Sequence, residues 1–396
     1  MILKAEKKSM GKTSIIFTGD IGFDKYMDGR WADERLFSKE LLSFFSSADH
    51  TVANIEGAVI DPESAAASND GRQCFHAMHP DAVNKLREIG ADIWCIGNNH
   101  IMDAGTFGLE STLKTAEAMG CRTVGAGINI NDASAPIYLD EAGGIGIINV
   151  CYRVDNMMAD EDTAGVFSWD DLESIAQHIS EIKARCRWCI VIAHGGEEFA
   201  CLPNPYTRDR YMRYLELGAD VIVGHHPHVP ENYELFPDGK AIFYSLGNFI
   251  FDTDYQRVHL YTEAGVLLKL SFTEEAFDFE AVGIKIIRGD ERIDIAPLPD
   301  IFTNIPADEY EKLSPLSAAA FVKEYKKTMI YISPVDFENA SEELWNSFLF
   351  SNRTDGFDKG THMDFFIIIP FSQKAERDEW KSSRLDKVKD YILKLL

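Results

Sequence analysis

Gly218-Ala-Asp-Val-Ile-Val-Gly-His-His-Pro-His228 decides how this chain is read, because a short apolar run feeds directly into a cluster of histidines. Val221 to Val223 fit only a buried strand, and Gly224 and Pro227 then turn the chain. Imidazoles delivered at the end of a rigid strand are placed to bind a metal or to move a proton. The same pattern recurs outward from this stretch in both directions. Ser14-Ile-Ile-Phe-Thr18 leads into Gly19-Asp20, and Thr51-Val-Ala53 into Asn54-Ile-Glu56. Asp92-Ile-Trp-Cys-Ile96 leads into Gly97-Asn-Asn-His100, with Asp103 beyond. Trp188-Cys-Ile-Val-Ile-Ala193 leads into His194-Gly-Gly-Glu-Glu198, and Ala241-Ile-Phe-Tyr-Ser245 into Leu246-Gly-Asn248.

Continuous apolar runs bounded by glycine and polar residues read as strands buried on both faces. Helix-like segments separate them. Residues 81–89 follow Pro80 and stop at Gly90, and residues 108–119 stop at Gly120. Residues 169–184 form a third segment, and residues 209–217 precede Gly218. Alternation of strand and helix from about residue 14 to 250 predicts a mostly parallel α/β core. Residues 265–272 and 277–287 alternate in polarity and are expected to pair antiparallel in a second sheet. In α/β sheets the ligand site lies off the carboxyl ends of the strands, so the polar clusters are predicted to converge.

The chain has 396 residues, 45% of them hydrophobic, which suits a globular enzyme. Its net charge of −25, from 64 acidic against 39 basic residues, repels phosphate backbones and argues against a nucleic-acid partner. Residues 1–10 lack the apolar core of a secretory signal. No apolar run reaches the ~18 residues of a membrane span; residues 365–371 are only strand-sized. The seven cysteines, an odd number, fit a reducing compartment, so a cytoplasmic location is expected. Cys186-Arg-Trp-Cys189 enters a strand and has no second pair to complete a zinc site. Tyr244-Ser-Leu-Gly lacks the elbow of a serine hydrolase. His50, His178, His259 and His362 lack a comparable context and read as surface residues. Residues 294–308, holding Pro297, Pro299 and Pro306, read as a linker between a domain over 13–293 and a mostly helical accessory region over 309–396. Residues 318–329, 341–350 and 384–396 are its expected helices. The oligomeric state is not legible in the sequence.

The strand ends together offer Asp20, Glu56, Asn99, His100, His194, His226 and His228. Mixed carboxylate, amide and imidazole donors suit divalent Mn, Fe or Zn, as one or two ions. A two-ion centre suits in-line hydrolysis of a phosphate ester. His100 is then a candidate to protonate the leaving group, with Asp103 fixing its tautomer.

These motifs, with Gly218-Ala-Asp220, His226-Pro-His228-Val229 and Tyr244-Ser-Leu-Gly-Asn-Phe249, resemble the CapA capsule-synthesis family of poly-γ-glutamate biosynthesis. That family is similar in turn to calcineurin-like metallophosphoesterases. The resemblance covers roughly residues 14–252 and implies a four-layer α-β-β-α sandwich with metals at the strand ends. It implies that Asp20 and His228 serve one metal, that Asn99, His194 and His226 serve a second, and that Glu56 bridges. It further implies His100 as proton donor, and Glu198, Tyr244, Ser245 and Asn248 as substrate-facing residues. His76 is added as a contact for an anionic substrate. Two positions depart from the pattern: Asp20-Ile-Gly22 lacks a metal-binding histidine, and Gly195 replaces an aromatic residue, which is expected to widen the pocket.

The activity expected is that of a metal-dependent hydrolase, a phosphoesterase acting on a small-molecule or polymer-derived anionic substrate. Two alternatives share the site: a non-catalytic accessory factor in capsule-polymer synthesis, and a metal-assisted γ-glutamyl amide hydrolase.

Overall fold

A computed structural model describes residues 11–69, 75–152, 157–332 and 383–396. The expected helix over 341–350 and the apolar run over 365–371 lie outside the described residues, as does His362. Strands β1 (Thr13–Ile21), β2 (His50–Ile55), β3 (Ala91–Cys95) and β4 (Arg122–Val124) lie parallel in sequence order. The chain then crosses to a second sheet built from β5 (Ile137–Leu139), β6 (Ile145–Cys151), β7 (Trp188–His194), β8 (Val221–His225), β9 (Tyr233–Leu235) and β10 (Ala241–Phe243). Its centre, β6-β7-β8-β10, is parallel, and β5 and β9 close its edges antiparallel. Finally β11 (Asn248–Ile250), β12 (Ala264–Phe272), β13 (Phe277–Ile287) and β14 (Arg292–Ala296) return to the first sheet.

The antiparallel pair foreseen over 265–272 and 277–287 therefore exists, but it extends the first sheet, with β12 running antiparallel to β1. The antiparallel pairs of the second sheet are instead β5 with β6 and β9 with β10.

Alternate side chains explain why the strands read as unbroken apolar runs. Ile15, Phe17, Val52 and Ile93 face Ile147, Ile190, Ile192 and Val223 across the gap between the sheets. Their neighbours Ile16, Ala53 and Trp94 point outward onto α1 (Lys39–Phe45), α2 (Val83–Glu88) and α3 (Gly105–Met119). On the other side Cys189, Val191 and Ile222 meet Ile175, Ile179 and Ile182 of α4 (Leu172–Arg185) and Tyr211, Tyr214 and Leu215 of α5 (Pro205–Leu217). The order is thus helices, sheet, sheet, helices; the central strands are buried on both faces, while the outer strands β13 and β14 keep exposed residues.

Helix ends follow local chemistry. Gly90, Gly120 and Gly218 take positive φ at helix termini. Helix α5 begins a turn earlier than the apolar spacing indicates, because the Asn204 side chain accepts a hydrogen bond from Thr207 N and Pro205 occupies the first turn.

Beyond β14 the chain remains attached to this body. Ile301 and Ile305, then Tyr310 and Leu313 of a helix that spans Ala307–Ile332, pack with Cys201 and Leu202. Leu385, Val388, Tyr391 and Ile392 of the Ser383–Leu393 helix join the same cluster. No helix among the described residues is long and apolar enough to cross a membrane.

Close backbone approach makes one glycine indispensable. A Cβ on Gly224, in β8, would lie 1.9 Å from the Tyr244 carbonyl oxygen, and backbone cannot swing aside as a side chain does. Gly224→Ala is expected to cost at least about 2 kcal/mol in urea unfolding, through forced separation of β8 from the chain after β10. Wild-type stability in this variant would contradict that packing.

Candidate metal centre

All the strand ends that matter open on one side of the double sheet. Asp20 lies within β1, in register with Asn54 of β2 and Asn248 of β11. Two register shifts flank it, between Phe17 and Asp20 and between Asp20 and Ile21, and these irregularities interrupt regular pairing around the aspartate. Gly19 permits the bend: a Cβ there would meet Gly247 O at 2.1 Å. His194 ends β7 in register with His225, which ends β8. His226 and His228 then take φ of 97° and 58°, left-handed values that non-glycine residues rarely adopt. Such strain is found where a structure holds a side chain in a required place.

Asp20, Glu56, His194, His226 and His228 are all buried. Asp20 Oδ1 accepts a hydrogen bond from Asn54 Nδ2 at 2.8 Å, and Asp20 Oδ2 lies 3.1 Å from His228 Nδ1. Glu56 Oε1 stands 3.7 Å from His194 Nε2 and 3.6 Å from His228 Nε2. Among the described residues neither Glu56 oxygen has a hydrogen-bond partner, nor does His226 Nδ1. A buried carboxylate left without partners is costly unless a cation meets it. Candidate ligand atoms of Asp20, Glu56 and His228 lie within 4.8 Å of one another, and so do those of Glu56, His194 and His226. Two overlapping groups sharing Glu56 fit divalent cations of mixed oxygen and nitrogen preference.

Without a cation the charges arrange themselves unevenly. Burial works to raise Asp20, but hydrogen bonds and charge from His225 and His228 outweigh it and hold the carboxyl well below its ordinary value. Glu56 moves the other way, pushed well up by burial. Burial, aided by His226, drives His194 well down, and burial lowers His226 to about 4. His228 resists burial because Glu56 and Asp20 draw a proton onto it, raising it to about 10.

The surrounding residues orient these groups. Asn99 Oδ1 lies 2.7 Å from His194 Nε2. Asn248 Oδ1 lies 3.0 Å from His228 Nδ1, while its amide donates to Gln256 and to Thr262 O. Asn248 thus faces the centre by holding His228. His100 Nδ1 meets Asp103 Oδ2 at 2.9 Å, and the same oxygen accepts the His76 backbone N–H at 2.8 Å. His76 Nδ1 is 2.5 Å from Asp24 Oδ2, and its ring meets that of His100 edge-on at 4.3 Å. Burial and then His76 lower the pKa of His100. Phe251 touches both His76 and His228, with 4.9 Å between ring centroids in each case.

Two expected pocket residues are not brought to this cluster. Tyr244 stacks on Tyr211 under α5, and its hydroxyl donates to Glu234. Ser245 accepts from Gly247 N and shapes the turn before β11. Nor does Gly195 widen the pocket, because Trp169 fills the space: a Cβ on Gly195 would lie 2.4 Å from its ring. His259, read as a surface residue, is buried, with Nδ1 2.6 Å from Glu324 Oε2; an isolated histidine in sequence gives no sign of such a partner.

Several further residues stand at the site. Asn54 and His225 both touch Asp20, and both belong to the strand-end stretches that carry the other ligands. Tyr152, whose ring is 4.7 Å from that of His226, follows β6; the apolar run Ile145–Cys151 would have pointed to it. Tyr255, whose hydroxyl donates to Glu198, had no signal in the sequence.

The profile of the family described as bacterial capsule synthesis protein PGA_cap matches residues 14–253. The PGA biosynthesis protein CapA of Bacillus subtilis (strain 168) is 30% identical over 251 residues, 62% of this chain and 64% of that protein. The capsule biosynthesis protein CapA of Bacillus anthracis is 26% identical over 255 residues, 62% of this chain and 61% of its own length. The chain therefore spans slightly under two thirds of these curated relatives. The solved structure of TT1561 of Thermus thermophilus aligns over 68% of this chain and 97% of its own at 12% identity. The TM-score of that superposition is 0.37.

The charge pattern can be measured directly. In chelator-treated protein, imidazole nitrogen shifts should show His226 titrating near pH 4 and His228 near pH 10, about 6 pH units apart. Asp20→Asn should move the His228 transition downward, because one of the carboxylates that raise it is gone. A His228 that titrates near its ordinary value in the folded, metal-free chain would refute the arrangement.

Proposed function

Because the chain belongs to the bacterial capsule synthesis protein PGA_cap family, we propose that its buried cluster is the metal centre of a hydrolase. The activity is that of a phosphoesterase on a small-molecule or polymer-derived anionic substrate, and the body is a four-layer sandwich of the metallophosphoesterase type. One observation carries this reading: Glu56 is buried with both oxygens unpartnered where Asp20, His194, His226 and His228 converge.

Asp20, Glu56 and His228 would hold one divalent ion, and Glu56, Asn99, His194 and His226 would hold a second. Bound there, such ions supply positive charge against the charge that gathers on a phosphoryl oxygen. The chain's own side chains supply the rest. Asp103 fixes His100 at Nδ1, leaving Nε2 to exchange a proton with the leaving group. His76, clamped by Asp24, stands beside that imidazole as a contact for the anionic portion of the substrate. Phe251 keeps the space between His76 and His228 apolar, which strengthens every charge interaction at the centre.

The names of the relatives favour a second reading. As proteins of PGA and capsule biosynthesis, they suggest an accessory factor whose centre binds an anionic polymer without cleaving it.

The two readings separate in one set of assays. Protein loaded with Mn²⁺ should hydrolyse members of a panel of phosphate mono- and diesters and leave γ-glutamyl peptides intact. His194→Ala and His226→Ala should each lower kcat/KM by at least ~10³-fold, about 4 kcal/mol of transition-state stabilisation. No turnover on any ester, with oligoglutamate binding that survives His100→Ala, would replace the hydrolase by the accessory factor.

A further inference from the structure

We propose that Glu198 is itself a ligand of the metal centre, and not part of the substrate-facing wall. The inference rests on the reading of the cluster as a metal site and assigns that site another carboxylate. Candidate ligand atoms of Glu198, His226 and His228 lie within 4.8 Å of one another. This group takes one histidine from each of the two groups that share Glu56, so Glu198 stands against both cation positions.

The electrostatics agree with that placement. Among the described residues, no lysine or arginine pairs with Glu198, Glu56 or Asp20. The Tyr255 hydroxyl donates to Glu198 Oε2. A hydrogen-bonded outer partner of this kind is what orients a ligating carboxylate.

The backbone is built to hold that carboxylate still. Phe199 N donates to Pro227 O at 2.8 Å and Gly195 N to His225 O at 3.0 Å, so the loop carrying Glu198 is stapled to the loop carrying His226 and His228. Phe199 takes a φ of +65°, an unfavourable value for a bulky residue. Its ring stacks on His259 at 3.7 Å and 7°, and His259 is fixed by Glu324 of the Ala307–Ile332 helix. From that same helix, Ser317 Oγ accepts the Leu202 N–H at 3.1 Å. Rigid placement of this order suits a metal ligand, which must meet its ion within a few tenths of an ångström.

The test is a metal titration of the full chain, stripped with chelator. Mn²⁺ binding is followed by calorimetry and by metal content for wild type, Glu198→Gln and Tyr255→Phe. Glu198→Gln keeps the shape of the side chain and removes its charge; it should lose one ion or bind it at least ~10-fold more weakly. Tyr255→Phe should weaken the same ion by a smaller factor. If the glutamine variant fails to fold by circular dichroism, Glu198→Asp, which retracts the carboxylate, carries the same expectation. Wild-type number and affinity of Mn²⁺ in Glu198→Gln would overturn the proposal, most plainly if KM for an ester rose at the same time. A wild-type protein that binds its ions and hydrolyses no ester would remove the phosphoesterase and leave Glu198 a ligand.

Discussion

Glu56 sits where water scarcely reaches, and nothing among the described residues donates a hydrogen bond to either of its oxygens. Taking a carboxylate out of water costs several kcal/mol even after the surroundings relax. Burial accordingly pushes the Glu56 carboxyl well up, and His194 and His228 bring ring nitrogens to 3.7 and 3.6 Å from one of its oxygens. Much else follows from that constraint. The strand irregularities around Asp20, the left-handed backbones of His226 and His228, and the glycines at 19 and 224 all serve to bring these groups together.

Around the centre lies a shell whose members hold ligands rather than react. Asn54 fixes Asp20, Asn248 fixes His228, Asp103 fixes His100 and Asp24 fixes His76. Each partner comes from a different segment, so a shift of any one element disturbs one imidazole or carboxylate before it disturbs the rest. The C-terminal helices extend this shell. Through His259 and Phe199 the Ala307–Ile332 helix reaches the loop that bears Glu198, and Tyr261 ties the Ser383–Leu393 helix in by stacking on Tyr391 at 3.7 Å.

Most of the core strands were legible because a strand buried on both faces must be apolar throughout, and β1, β3, β7 and β8 carry that mark. The run Ile145–Cys151 carries it equally, and it is buried along its whole length. Tyr152, not a histidine or carboxylate, follows it, so the run carries no sign of a metal site. The polarity alternation of residues 265–272 and 277–287 correctly indicated an antiparallel pair. It said nothing of which strand lay beside the pair, since alternation reports burial and not partnership. Tyr244 and Ser245 followed an apolar run as the true site residues did. At that strand end, however, the side chain turns to the helix side, where Tyr211 and Glu234 receive it.

What the sequence determined by itself was the set of strand ends and the residue types placed on them: Asp20, Glu56, Asn99, His100, His194, His226 and His228. Periodicity and a polar residue after a strand are local properties, so they are written along the chain. Which of these side chains meet, and what holds them, was decided by tertiary structure. Register between β1, β2 and β11 set Asn54 and Asn248 beside Asp20, and the packing of a distant helix set the loop of Glu198. Distances between segments far apart in sequence depend on register, twist and packing together, and none of these is recorded in a local pattern of residues.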